Sequence, residues 1–281
     1  MYAIINGLKI HYVIEGTGIP CLIPSLGGTL VYERTFSSEL RGHLKLVFAE
    51  LRGSRSDLGD VGAATLDTIV DDLDRLRSEL KLDRIAVLGH SGHGFIALRY
   101  AAKYPDRISH AILLGSVPAF DGAWFGEVLK YSEMLMSKER KDELARTHER
   151  LRPAMSRATP DEAVVLNFIA NGPIQFFDAH FDCTHLWKGQ TFNAEILQRF
   201  WGPGFGEFSK FDPAAEFPKI KCPVLIASGV FDYGCPPTTW HGIKDKLSKH
   251  EYRVFERSGH HPQMEEQQLF DETVIEWLGR N

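Results

Sequence analysis

The stretch Arg84–Gly94 reads RIAVLGHSGHG, and helix-like FIALRYAAKY follows it up to Pro105. RIAVL is short and almost wholly apolar, as expected of a strand covered on both faces. Gly89, Gly92 and Gly94 then crowd around Ser91, so the segment predicts a tight strand–turn–helix with a serine at its apex. A serine hydroxyl is almost un-ionised at neutral pH. It becomes a nucleophile only when a turn projects it toward substrate beside a base. Small residues two positions before and two after the serine ordinarily relieve the crowding of such a turn. Gly89 fills the first slot and His93 breaks the second. We expect Gly92 and Gly94 to absorb that crowding, with the His93 imidazole packing against neighbours rather than entering the chemistry. The glycine spacing fits neither the dinucleotide fingerprint nor a phosphate loop with its Lys-Ser/Thr pair.

Outward from this turn, apolar strands alternate with amphipathic helices. IINGLKIHYVIEG holds two alternating runs joined at Asn6-Gly7, a strong hairpin signal. PCLIPSLGG and LKLVFAELRG read as strands. Residues 65–82 repeat apolar side chains at Leu66, Ile69, Val70, Leu73, Leu76 and Leu80, the helical period. SHAILLGS is another buried strand. From about residue 120 to 215 the strand signal vanishes into helical and aromatic-rich sequence. It returns with PVLIASG, a helix near WHGIKDKLS, the strand YRVFE and a closing helix FDETVIEWLGR. This pattern predicts an α/β core with a mostly parallel central sheet flanked by helices. Residues 1–119 and 216–281 form that core, and 120–215 form an inserted helical cap.

The base must come from elsewhere among twelve histidines. RSGHHPQMEE, just past the last strand, offers His260, with His261 as the second choice because Pro262 pushes its backbone toward extended conformations. The imidazole needs a carboxylate to hold its tautomer. Asp232 in PVLIASGVFDYGCPP stands in the loop after a buried strand, giving the order Ser91, Asp232, His260. Attack on a carbonyl creates an oxyanion, and each preorganised N–H donor stabilises it by ~3 kcal/mol. The expected donors are the amide of Gly92 and that of Leu26, with Gly27 as the neighbour that could replace Leu26.

With these residues placed, the chain resembles an α/β-hydrolase over nearly its whole length. GHSGHG is similar to the elbow of that superfamily, GVFDYGCPP to its acid loop, SGHHPQMEE to its histidine loop, and AKYPDRISHAILLGS to a further typical stretch. RFWGPGFGEFSKFDPAAEFPKIKCPVLI resembles the cap of proline-iminopeptidase-like members. Two departures count against the peptidase activity that this branch implies. Its His-Gly-Gly-Pro-Gly oxyanion loop is replaced by Pro24-Ser25-Leu26-Gly27-Gly28, and its Asp-x-Arg-Gly-x-Gly-x-Ser by the shorter run from Glu50-Leu51-Arg52-Gly53 to Ser54-Arg55-Ser56. Glu207 or Glu195 could hold a substrate amine, although solvated glutamates are the plainer reading.

The aromatics of residues 120–215, among them Phe168, Trp187, Phe192, Trp201 and Phe205, pack the cap, and a few are expected to line an apolar pocket above Ser91. Asp178, His180, Asp182, Cys183 and His185 alternate with aromatics and read as a half-buried strand or loop rather than a metal site. No metal and no cofactor are expected. The scattered Cys21, Cys183, Cys222 and Cys235 read as free thiols. A formal net charge of −5 gives no basic footprint for nucleic acid. No stretch reaches the roughly 20 apolar residues of a membrane span. The N-terminus lacks a Sec-type signal pattern, so the cytoplasm is the expected compartment.

The expected partner is a small to medium apolar substrate with an ester, lactone or related acyl bond. A serine nucleophile argues against haloalkane dehalogenase and epoxide hydrolase chemistry, which need a carboxylate. The alternatives are an aminopeptidase acting on N-terminal proline and a non-catalytic binding protein that keeps the fold, for which His93 leaves room.

Overall fold

The computed structural model describes residues 1–55, 59–202 and 206–281. Ser56 and Phe205 lie outside the described residues, as does part of the cap stretch from Arg199 onward. An eight-stranded sheet runs through the molecule in the order β1-β2-β4-β3-β5-β6-β7-β8. The strands are β1 (Tyr2–Ile5), β2 (Leu8–Glu15), β3 (Ile19–Ser25), β4 (Leu44–Glu50), β5 (Ile85–His90), β6 (Ile108–Leu114), β7 (Val224–Gly229) and β8 (His250–Phe255). β1–β2 and β2–β4 pair antiparallel, and the remaining neighbours pair parallel. Asn6 and Gly7 both take positive φ, 49° and 80°, as the tight hairpin between β1 and β2 requires.

The alternation within each strand sorts side chains onto two faces. In β4, Leu44, Leu46 and Phe48 join one apolar cluster while Val47 and Ala49 join the other. β5 divides likewise, Ile85 and Val87 against Ala86 and Leu88. Each fully buried Val, Leu, Ile or Phe among them contributes about 1.5–3 kcal/mol. The helices Leu66–Glu79 and His93–Lys103 cover the first face. The helices Leu30–Thr35, Ser38–His43 and Gln267–Arg280 cover the second. Thr65 caps the helix at 66–79 in a reciprocal pair with Thr68.

Between β6 and β7 the described residues form no strand. They make the helices Gly122–Leu135, Lys138–Met155, Pro160–Ala170, Thr184–Trp187, Ala194–Trp201 and Pro213–Glu216, with short 3₁₀ turns among them. Ser137 separates the first two of these helices, and its side chain caps the second. The helix expected near WHGIKDKLS is absent. Two short 3₁₀ turns, Pro237–Trp240 and Lys244–Lys246, replace it, separated by Gly242 at φ 76°. A glycine in that left-handed conformation ends helical winding that the apolar spacing alone would allow. No helix of the described residues is long and apolar enough to cross a membrane.

Candidate active site

Ser91 directly follows His90, the last residue of β5, near the middle of the sheet, where β5 lies between β3 and β6. The chain order reverses between β3 and β5, which is where open α/β sheets place their ligand crevice. Ser91 holds φ 58°, an uncommon conformation for a residue with a side chain, and its N–H donates to Leu114 O at 2.9 Å. Backbone strain of this kind concentrates at functional turns. A Cβ at Gly89 would lie 2.4 Å from the His93 carbonyl oxygen, so the close approach across the turn is absorbed at position 89. Gly92 and Gly94 make room for other segments instead. A Cβ at Gly92 would press on Trp201 and Phe208, and one at Gly94 on Ser116. The expectation that these two glycines relieve the turn itself is therefore corrected.

Asp232, in the loop after β7, is fully buried. Its Oδ2 lies 2.6 Å from His260 Nδ1, while Oδ1 accepts the N–H groups of Gly234 at 3.1 Å and Cys235 at 2.8 Å. Burial disfavours the charged His260 ring, but the adjacent Asp232 charge and hydrogen bond, with Glu265 further off, outweigh it and raise its pKa above the ordinary histidine value. His260 and Ser91 line the same cavity, without a direct hydrogen bond between them. Such bonds are often long in the absence of substrate. His261 lines that cavity too, but its ring stacks on Phe176 and does not meet Asp232. Burial, with the nearby His260, holds His261 well below the usual histidine range.

Several positioning contacts were invisible in the sequence. His90 Nε2–H donates to the His260 carbonyl at 2.8 Å, and the His260 N–H donates to Gln175 O at 2.6 Å. Arg140, buried on the helix Lys138–Met155, donates to the carbonyls of Pro173, Phe176 and Phe177 and so holds the segment carrying Gln175. The Glu265 carboxylate accepts from Phe177 N–H at 2.6 Å and Gly259 N–H at 2.8 Å, tying that segment to the histidine loop. Burial pushes Glu265 up to about 7. No periodicity signals such contacts, because each has a backbone N–H or carbonyl as a partner.

The two expected oxyanion donors sit differently. The Gly92 N–H, at the start of the helix His93–Lys103, has no acceptor among the described residues. The Leu26 N–H donates to His93 Nε2 at 3.0 Å, and the Gly27 N–H to Ser25 Oγ at 3.2 Å. His93 also meets Tyr32 Oη through Nδ1 at 2.9 Å and Trp201 edge-on. It packs as expected, yet it faces the cavity and occupies an amide assigned to the chemistry.

The cavity holds about 100 Å³, the space of roughly three water molecules. No Asp, Glu, Lys or Arg is among the described residues that line it. Its walls include Val31, Phe168, Leu197 and Trp201, while Gln175 Oε1, Trp187 Nε1 and His261 Nε2 are buried there without a protein partner. An open groove of about 1600 Å³ on the helical insertion shares Trp187, Gln190 and Phe192 with it. Glu195 lines that outer groove. Glu207 is not a solvated glutamate. It is buried, pairs with Lys210 at 2.5 Å and accepts from Leu66 N–H at 3.2 Å, and it does not line the Ser91 cavity.

The residues 176–187 form a loop and a short helix. His180 pairs with Glu139 and Glu143, and Asp182 accepts from Thr184 N–H. Among the described residues the ligand-like grouping is Asp232, Cys235 and His260, which is the acid–imidazole pair just described with a thiol beside it. All four cysteines are free.

The model of the alpha/beta hydrolase fold family matches residues 22–267. The AB hydrolase superfamily protein YclE of Bacillus subtilis is 30% identical over 276 residues, covering 97% of this chain and 96% of that protein. A proline iminopeptidase of Clostridium botulinum is 28% identical over 228 residues, 76% of this chain and 72% of that protein. Among solved structures, an esterase from Exiguobacterium antarcticum superposes with a TM-score of 0.72 at 20% identity, covering 99% of both chains.

Proposed function

The chain belongs to the alpha/beta hydrolase fold family, and from that premise we propose that it is a serine hydrolase of uncharged, largely apolar acyl compounds, cleaving an ester, lactone or related bond. The observation that carries the reading is the Asp232–His260 pair at 2.6 Å, opening onto the same uncharged cavity as Ser91. Ser91 Oγ attacks the carbonyl carbon and His260 Nε2 takes its proton. Asp232 keeps Nδ1 protonated, so that Nε2 is the free acceptor, and stabilises the imidazolium. The tetrahedral oxygen is held by the Gly92 and Leu26 N–H groups. His260 then returns the proton to the leaving alcohol oxygen. Water, deprotonated by His260, releases the acyl group from Ser91.

The small inner cavity takes the acyl portion, and the leaving group extends past Trp187 and Phe192 into the outer groove. Residues 120–215 act as the cap over a core of 1–119 and 216–281, in the cytoplasm. Similarity to proline iminopeptidases favours a second reading, cleavage of N-terminal proline. An amine substrate needs a carboxylate, and the cavity lining offers none among the described residues.

Turnover of p-nitrophenyl esters of two to six acyl carbons, of simple lactones and of proline p-nitroanilide should be compared for the wild type and Ser91→Ala. Ser91-dependent hydrolysis of short esters or lactones is expected. Activity confined to the proline amide would replace the esterase reading with the peptidase one.

A further inference from the structure

We infer that His93 plugs the oxyanion hole, and that substrate displaces it, so this side chain sets which acyl groups Ser91 accepts. The inference rests on the serine hydrolase reading and goes beyond it. The Leu26 N–H is a donor only, so His93 Nε2, 3.0 Å away, must present a lone pair. The ring is then neutral, with its proton on Nδ1, which donates to Tyr32 Oη at 2.9 Å. Burial, which pushes the imidazole down to about 3, keeps that state across the working pH range. Tyr32 is itself buried and Trp201 meets the ring edge-on, so the imidazole is clamped on three sides. The neighbouring Gly27 N–H is committed to Ser25 Oγ and offers no substitute. Of the two donors assigned to the oxyanion, only that of Gly92 is open before substrate arrives.

The physical consequence is a competition for one N–H. A neutral carbonyl oxygen is no better an acceptor than an imidazole nitrogen. As Ser91 attacks, the oxygen gains negative charge, becomes much the stronger acceptor and captures the Leu26 N–H. No proton changes owner; only the acceptor of that N–H changes. The released ring pivots about its Tyr32 contact and must share the cavity of about 100 Å³ with the acyl group. Short acyl chains leave it room and long ones do not. The plug is thus a specificity-determining device, built from the residue that replaces the small one at the second slot of the turn.

The test compares kcat/KM for p-nitrophenyl acetate and hexanoate in the wild type, His93→Ala and His93→Phe. His93→Ala removes acceptor and bulk. It is expected to raise the acetate value about fivefold, the fold-change of one net hydrogen bond, and the hexanoate value more. His93→Phe removes the acceptor and keeps the bulk, so acetate rises similarly and the preference for the short chain persists. In wild-type protein labelled with 15N-histidine, a trifluoromethyl ketone bound covalently at Ser91 is expected to shift the His93 Nε2 signal. A merely structural histidine would not respond in this way. Equal or lower acetate turnover in both variants, or an unmoved Nε2 signal in the adduct, overturns the plug while Ser91-dependent turnover still stands. Acetate gain in His93→Ala alone overturns the acceptor competition in favour of simple bulk. Absence of Ser91-dependent turnover in the wild type overturns the hydrolase reading, and the plug with it.

Discussion

Replacing Asp232 by Asn changes one buried atom from oxygen to nitrogen and should cost most of the activity. In the native site Oδ1 accepts from the Gly234 and Cys235 N–H groups while Oδ2 faces His260 Nδ1 at 2.6 Å. The amide oxygen of Asn keeps the two backbone donors, which leaves its NH₂ pointing at Nδ1. Nδ1 must then accept, the ring proton moves to Nε2, and Nε2 can no longer take the proton of Ser91. A wrong tautomer in this arrangement lowers kcat by about 10⁴. At 1.36 kcal/mol per decade that is about 5 kcal/mol of lost transition-state stabilisation. The fold should lose far less, about 1.5–3 kcal/mol for one charge-assisted hydrogen bond. Steady-state hydrolysis of a short p-nitrophenyl ester gives kcat, and thermal unfolding checks that the variant is folded. A folded Asp232→Asn protein with kcat within tenfold of wild type would refute the reasoning, because His260 would then be acting without its acid.

The pH profile carries a related expectation. His260 must be neutral to act as base, and Asp232 raises its pKa, so kcat/KM falls as pH drops through a value above that of an ordinary histidine. In the residual activity of Asp232→Asn the limb should move to lower pH, and an unmoved limb would assign it to another group. Gly94→Ala places a Cβ 2.7 Å from Ser116 Cβ and closer still to its hydroxyl, a clash expected to destabilise the protein by about 1–3 kcal/mol in urea unfolding. A change below about 0.5 kcal/mol would show that the β6 end yields freely. Glu265, raised from 4.5 to about 7 by burial, stabilises the fold most when protonated, and that contribution is lost as pH rises from 4.5 through 7. The stability of wild type minus that of Glu265→Gln should therefore fall across that window, and a pH-independent difference would contradict the burial argument.

Where local chemistry decides structure, the sequence was legible. Asn6-Gly7 specified a hairpin because two successive positive φ angles suit few other pairs. RIAVL and PVLIASG read as buried strands because both of their faces are apolar, and the turn after the first carries Ser91 while the loop after the second carries Asp232. The break in strand signal near 120 marked the helical insertion. What stayed hidden depends on chain segments meeting from afar. The helix read into WHGIKDKLS yielded to Gly242 and its left-handed backbone. His93 was legible as an oddity in the turn, but its grip on Leu26 and Tyr32 needs two segments more than sixty residues upstream of it to close over the serine. His90, Arg140 and Glu265 act through backbone carbonyls and amides, which leave no trace in side-chain patterning.

The central claim is that Ser91 is an activated nucleophile. It is tested most directly by the intact mass of the protein after treatment with a fluorophosphonate, followed by peptide mapping. The account predicts one phosphonyl adduct per chain, on Ser91, lost in Ser91→Ala and formed far more slowly in His260→Ala. A folded wild-type protein that gains no adduct, or gains it on another side chain, would contradict it.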